Sequence, residues 1–231
     1  MTNRITIGKI KNRFKIIENE ISQLVEDQYV FEKYKEYIKN SENVDKGSEF
    51  LFWIAKNYQI LSVINVCKQV DEDSRSESLV NLLKDIKNNK KLFTLKWYRR
   101  QWKPVPIAKT NKKNSRLKEA EECFKKFAIK NNNLISSQKI NKDIKEIKQA
   151  ICGVRFGKER QSVESLKKYR NKRGAHFASG NKKAIVPMEK LFDAIDLLEK
   201  ITIKYNLLLN QAGMNTLNID DYIELDKIFR K

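Results

Sequence analysis

Apolar residues recur three and four positions apart along most of this chain, the spacing of helices with one buried face. Ile7, Ile10, Phe14, Ile17, Ile21 and Leu24 form the first such stripe. It suits a coiled-coil seam or the interior of a bundle; three heptads are short for a seam, which favours the bundle. Tyr29 to Ile38 continues this helix or bends from it after Asp27, and residues 40–47 read as a polar loop. Ser48 to Val70 is apolar nearly all round, the pattern of a helix placed wholly inside a core. The polar run DEDSRSES, residues 71–78, ends it, and Ser76 or Ser78 can cap the next helix, through about Ile86.

Residues 87–114 have poor periodicity and hold two of the three prolines, so they read as an irregular insertion. Ser115 can then cap a helix through Ala128, residues 130–138 form a loop, and Asn141 to Ile151 form a short helix. Ser162 opens a further helix whose inward stripe is Val163, Leu166 and Tyr169. Pro187 suits a helix start, and Leu191, Ile195, Leu198, Ile201, Tyr205 and Leu208 make a long amphipathic stripe ended by Gly213. A short terminal helix begins at Asn218 or Asp220 and carries Tyr222, Leu225 and Phe229. No stretch alternates as a strand does. The expected fold is all-α: a single antiparallel helical bundle over the 231 residues, with a basic irregular insertion at about 87–114.

Composition narrows the class. With 40% hydrophobic residues, eleven Phe, eight Tyr and three Trp, the chain can bury a core; seven Gly and three Pro favour long helices over many turns. No apolar run approaches the length of a membrane span and the first residues lack a signal-peptide core, so no membrane and a cytoplasmic location are expected. Cys67, Cys123 and Cys152 are odd in number and widely spaced, which predicts reduced thiols. One histidine and no close cysteine pair predict no zinc and no other cofactor. A phosphate-binding glycine loop, a dinucleotide fingerprint, paired catalytic carboxylates and a Ser-His-Asp order are all missing from the sequence.

The net charge of +19 is segregated. Lys84 to Lys130 holds sixteen basic and four acidic residues, and Arg155 to Lys183 holds ten and two. These two stretches carry the whole excess, and clustered charge of this kind attracts a polyanion. In the first, Trp97, Tyr98 and Trp102 interleave with Lys96, Arg99, Arg100 and Lys103. Rings beside cations suit unstacked bases and phosphates, which makes Trp97, Arg99, Arg100, Trp102 and Lys103 candidate RNA contacts. The same alternation also fits a helix whose aromatics tuck into the core while its charges face water.

The second stretch holds LKKYRNKRGAHFASG, residues 166–180, with His176 the one histidine of the chain. Histidine is the side chain whose unperturbed pKa lies nearest neutrality. Arg170 and Arg173 supply fixed positive charge suited to phosphate, and Asn171 supplies a neutral donor and acceptor. Arg170, Asn171, a short spacer and then His176 resemble the HEPN signature (higher eukaryotes and prokaryotes nucleotide-binding), with five residues between arginine and histidine. The Ala175-His176-Phe177 run resembles the AbiU-type branch found among abortive-infection proteins. So does the stretch Phe52 to Ile86, an apolar helix, an Asp-rich break and then Ser-Leu opening a second helix. One departure stands out: the branch often carries a carboxylate soon after the histidine, where this chain has Phe177, Ala178 and Ser179.

The resemblance implies a metal-independent endoribonuclease, a toxin or phage-defence effector, in which a ribose 2′-hydroxyl attacks the adjacent phosphodiester. On that reading His176 is the general base or acid, Arg170 holds the scissile phosphate, and Asn171 orients either group. Lys167, Lys172 and Arg173 add phosphate contacts. Six residues of straight helix turn through about 240°, so Arg170 and His176 would not share a face unless the helix distorts near Gly174 or the long arginine reaches round. A homodimer resolves this, as paired motifs lining one cleft in the HEPN family do, and it supplies base and acid from two histidines. An antitoxin or other regulatory protein is a further implied partner. The tyrosine that such a partner modifies, two residues past the histidine, is Ala178 here. Two other readings stay open: a non-catalytic HEPN module that binds RNA or a nucleotide, and a DNA-binding helical protein. A salt titration against RNA and DNA of matched length separates the last from the others.

Overall fold

The computed structural model describes residues 5–42, 45–101, 113–129, 134–152, 166 and 187–211. These residues are helical apart from short connections and two isolated antiparallel bridges, so the all-α reading holds. The helices are α1 (Ile7–Asn40), α2 (Glu49–Lys68), α3 (Leu79–Asn88), α4 (Leu95–Gln101), α5 (Lys113–Lys125), α6 (Ser137–Cys152) and α7 (Met188–Asn210). A 3-10 turn, Lys90–Leu92, joins α3 to α4.

The spine is α1. It runs unbroken for 34 residues, about 50 Å, without the bend that Asp27 allowed. Thr6 caps its start, accepting a hydrogen bond from the Lys9 amide at 3.3 Å. Its predicted stripe is its buried face: Ile10, Phe14, Ile17, Ile21 and Leu24, extended by Phe31 and Tyr34. α2, α3 and α7 pack around it, and α6 closes the bundle against α3 and α7. α7 lies antiparallel to α1, since Asp196 meets Gln28 at 3.3 Å and Phe192 lies under Lys35. α2 is also antiparallel to α1: Tyr58 stacks on Phe31 at 4.1 Å, and Lys68 reaches back to Glu20.

Buried polar groups fix the joints, because each must be hydrogen-bonded once out of water. Gln69 at the end of α2 donates to Glu20 of α1 at 3.0 Å and accepts from the Leu79 amide of α3 at 3.1 Å. Ser78 caps α3 through the Asn81 amide, as its position foretold, and its hydroxyl donates to the Asp71 carbonyl at 2.6 Å. Asp143 of α6 is buried and accepts from the Tyr205 hydroxyl and the Lys204 ammonium, both at 2.7 Å, locking α6 to α7. Glu72 accepts from Lys148 and Lys84 at 2.5 Å each; these hydrogen bonds, the one from Lys148 foremost, hold its carboxyl down at about 2.

Several expectations need correction. The insertion is not irregular where it is described: residues 87–101 are the end of α3, the 3-10 turn and α4, while residues 102–112 lie outside the described set. α6 starts four residues earlier than expected, because Ser136 caps it through the Lys139 amide. α7 ends before Gly213, at Asn210, with Gln211 in the left-handed region at φ 53°. The largest correction concerns α2. Only Ser62, Val63, Val66 and Cys67 are buried, while Phe50, Phe52, Trp53 and Leu61 are 59–73% exposed. The helix meets α1 and α7 along one side of its C-terminal half, and no third layer covers the other side among the described residues. It is also the one described helix long and apolar enough to cross a membrane, contrary to the expectation that no run approaches that length. The three cysteines carry no disulfide. The expected terminal helix lies outside the described residues.

Candidate nucleic-acid interface

Two basic stretches were expected to form the site, and the structure describes them unequally. Of the motif stretch it describes Leu166, which is helical and 2% exposed, part of the same buried cluster as the spine. Lys167, Arg170, Asn171, Lys172, Arg173 and His176 lie outside the described residues. The flanks are described: α6 ends at Cys152, just past buried Ile151, and Pro187 precedes α7, just before buried Leu191. α6 and α7 pack together, so the described ends on either side of the motif stretch belong to neighbouring helices, and Leu166 belongs to the same core.

The other stretch folds as α4, and helical geometry sorts its mixed residues by face. Lys96, Arg99 and Arg100 stand at i, i+3 and i+4, so they share one side, and all three are exposed. With Thr94 and Leu95 they line an open pocket of about 800 Å³. Arg99 is paired with Glu121 of α5, which offsets part of its charge. Lys96 and Arg100 have no ion pair among the described residues. Lys96 belongs with the two arginines on this exposed face, although residue type alone did not select it. The signal was its spacing, which becomes legible only once the stretch is taken as a helix. Trp102 and Lys103 lie outside the described residues.

The aromatics of α4 face the other way. Tyr98 is fully buried, its hydroxyl donates to the Leu207 carbonyl at 3.0 Å, and burial pushes its phenol well above the ordinary range. Trp97 is half-buried against the core; its ring meets Phe93 edge-on at 5.3 Å, and the Lys11 ammonium sits 5.9 Å from its centre. Of the two alternatives for this stretch, the described part takes the one with rings inward and charges outward. Trp97 therefore serves as the wedge that fixes the rotation of α4, rather than as a platform open for a base.

No group of three or more His, Cys, Asp or Glu is arranged to hold a metal ion among the described residues. What the bundle presents is a cationic helix face next to a helical core that also anchors the head of the motif. Fixed cations on a helix face suit phosphate oxygens rather than base edges.

No curated protein and no solved structure matches this chain. A family model does: residues 7–228 match the HEPN family described as AbiU2. The match runs from the first residue of α1 to within three residues of the end of the chain. It takes in the spine, the cationic α4 and the Arg170-Asn171…His176 stretch alike, and the chain thus belongs to the AbiU2 family of HEPN domains, a family related to abortive infection.

Proposed function

We propose that this protein is a metal-independent endoribonuclease that acts as a toxin or phage-defence effector. The observation that carries the reading is its one histidine, His176, with five residues between it and Arg170, in a chain of a HEPN family. In the reaction, the ribose 2′-hydroxyl gives its proton to one His176 imidazole and attacks the neighbouring phosphorus. The bond to the 5′-oxygen breaks, and that oxygen takes a proton from a second, protonated imidazole. The products are a 2′,3′-cyclic phosphate and a 5′-hydroxyl. Arg170 stabilises the charge that develops on the phosphoryl oxygens, and Asn171 orients the imidazole. Lys167, Lys172 and Arg173, with Lys96, Arg99 and Arg100 of α4, hold the strand by its phosphates. The need for a base and an acid calls for two copies of the chain, so the active form is a homodimer.

The test is cleavage of end-labelled RNA in EDTA. The wild-type protein is expected to leave cyclic phosphate ends, and His176→Ala to lose activity by ~10²-fold or more. Equal rates for the two proteins would remove the mechanism. A second reading is favoured by Phe177, Ala178 and Ser179, which stand where the branch often has a carboxylate. It is a module that binds RNA without cutting it, and it predicts salt-dependent binding with no cleavage by either protein.

A further inference from the structure

Folding brings a further group of cations beside the α4 face. α6 holds Lys139, Lys142, Lys145 and Lys148 against Asp143 and Glu146, and in the sequence it lies outside both basic stretches. The bundle sorts these charges by side. Asp143 is turned inward onto Lys204 and Tyr205, and Lys148 goes to Glu72 in the break after α2. Lys142 and Lys145 are left on the outward side with Gln138 and Gln149, all four exposed. They fall in an arc of about 60° that contains no carboxylate. Glu146, at the edge of that arc, comes no nearer to Lys142 than 3.8 Å, and Lys145 has no ion pair among the described residues.

Three ties set the start of α6 beside α4. Thr94, just before α4, bridges Leu134, and the Ser136 amide donates to the Phe127 carbonyl at 2.7 Å. The Lys139 ammonium donates to the Lys125 and Lys126 carbonyls at the end of α5, at 3.0 Å each. α5 is in turn held to α4 by the Arg99–Glu121 pair. Lys96, Lys126 and Lys139 therefore gather at one corner from three separate elements. The carboxylates nearest that corner are already engaged, Glu121 by Arg99 and Glu122 by Lys125. From the corner, Lys139 to Lys145 covers about 9 Å of α6, and Lys96 to Arg100 about 6 Å of α4. With a helix spacing of ~8–10 Å between them, the cations run over roughly 25 Å. That is the length of about seven nucleotides of a stacked strand at ~3.4 Å each. The run stops at Lys148, whose charge Glu72 offsets.

We infer that the outward side of α6, through Lys142 and Lys145, continues the α4 face across Lys126 into one phosphate track, occupied by an RNA strand long enough to span both helices. The occupant follows from charge: cations spaced along a line fit a polymer with a charge at every unit, and a small anion would use one or two of them. The inference rests on the RNA-binding part of the proposed function and not on cleavage. α6 is the last described helix before Leu166, so the track lies on the helix that precedes the motif stretch in the chain.

The test is a salt titration of binding by the full chain, using single-stranded 2′-O-methyl RNA of twelve and of four nucleotides. A methylated 2′-oxygen cannot attack the phosphodiester, so binding is read apart from cleavage. Lys142→Ala with Lys145→Ala is expected to lower the slope of log affinity against log salt by ~1.4 for the 12-mer, ~0.7 for each lost phosphate contact. At about 0.1 M salt the 12-mer should bind at least ~10-fold more weakly, while the unfolding midpoint stays in place because both side chains are exposed. The 4-mer is too short to span the track and keeps the α4 face, so its loss should not exceed ~2-fold. Lys39→Ala with Lys56→Ala removes the same charge from two exposed positions at the other end of the bundle. Lys39 stands about 42 Å along α1 from Lys11, the lysine beside Trp97, and this pair is expected to leave the slope unchanged. An unaltered 12-mer slope in the α6 variant would overturn the track, and so would an equal fall in the Lys39/Lys56 variant, since net charge alone would then account for binding. Equal losses for the two RNA lengths, or tighter binding of duplex DNA of the same length, would also overturn it. Cleavage of unmodified RNA is scored separately: a protein that shows the slope change and cuts nothing keeps the track and loses the nuclease.

Discussion

α2 and α4 both carry aromatic residues among polar ones, and the bundle uses them in opposite ways. α4 looked like a nucleic-acid platform, yet Tyr98 and Trp97 point inward and only the cations remain outside. α2 looked like the centre of a core, yet Phe50, Phe52, Trp53 and Leu61 stand in the open. The difference is one of neighbours. α4 is a short helix resting on α5 with the end of α7 beside it, so its apolar side has something to meet. α2 lies on the rim of the bundle with one covered side, and a helix that is apolar all round then leaves half its hydrocarbon for something else. Residue type reports what a side chain prefers to touch; it does not report whether a neighbour is there.

The sharpest way to break this contrast is to truncate one ring from each helix. Tyr98→Ala is expected to cost ~3–5 kcal/mol in urea unfolding, because it opens a cavity and leaves the Leu207 carbonyl without its donor. Phe50→Ala is expected to change the stability of the monomer by no more than ~0.5 kcal/mol, as surface substitutions usually do. Equal losses would mean that α2 is covered by its own chain. The next effect concerns the outer side of α4. Lys96→Ala with Arg100→Ala is expected to leave the unfolding midpoint unmoved and to weaken single-stranded RNA binding. The slope of log affinity against log salt should fall by ~0.7 for each phosphate that is no longer neutralised. An unchanged slope would take α4 out of the RNA-binding surface.

The smallest effect tests how the inner end of α2 is held. Glu72, in the break after α2, has its carboxyl lowered from 4.5 to about 2 by hydrogen bonds from Lys148 and then Lys84. A carboxyl depressed in the folded state binds fewer protons there than in the unfolded chain. Its contribution is therefore complete above pH 4.5 and disappears as pH falls through about 2. Glu72→Gln is expected to lower stability slightly at neutral pH and to flatten the loss on acidification across that window, read by thermal melts at stepped pH. These ion pairs are well exposed, so solvent screening keeps the effect small.

Much of the site's support was legible from residue order. Ser78 as a cap, the α1 stripe and the α7 stripe all follow from spacing and from hydrogen-bonding capacity within a few residues. The grouping of Lys96 with Arg99 and Arg100 was present in the sequence but hidden, since poor periodicity made the stretch look irregular. The joints were not legible at all. Nothing near Asp143 in sequence announces Tyr205, and nothing near Gln69 announces Glu20, because those partners meet only when separate helices pack.

By itself, then, the sequence determined the helices, their buried stripes, the segregation of positive charge and the position of the one histidine beside its arginine. These are local properties, set by backbone geometry and side-chain chemistry over a turn or two. Only the tertiary structure decided which apolar faces are covered. It turned Trp97 and Tyr98 inward and left the outer side of α2 bare, because burial depends on the elements that arrive from elsewhere in the chain.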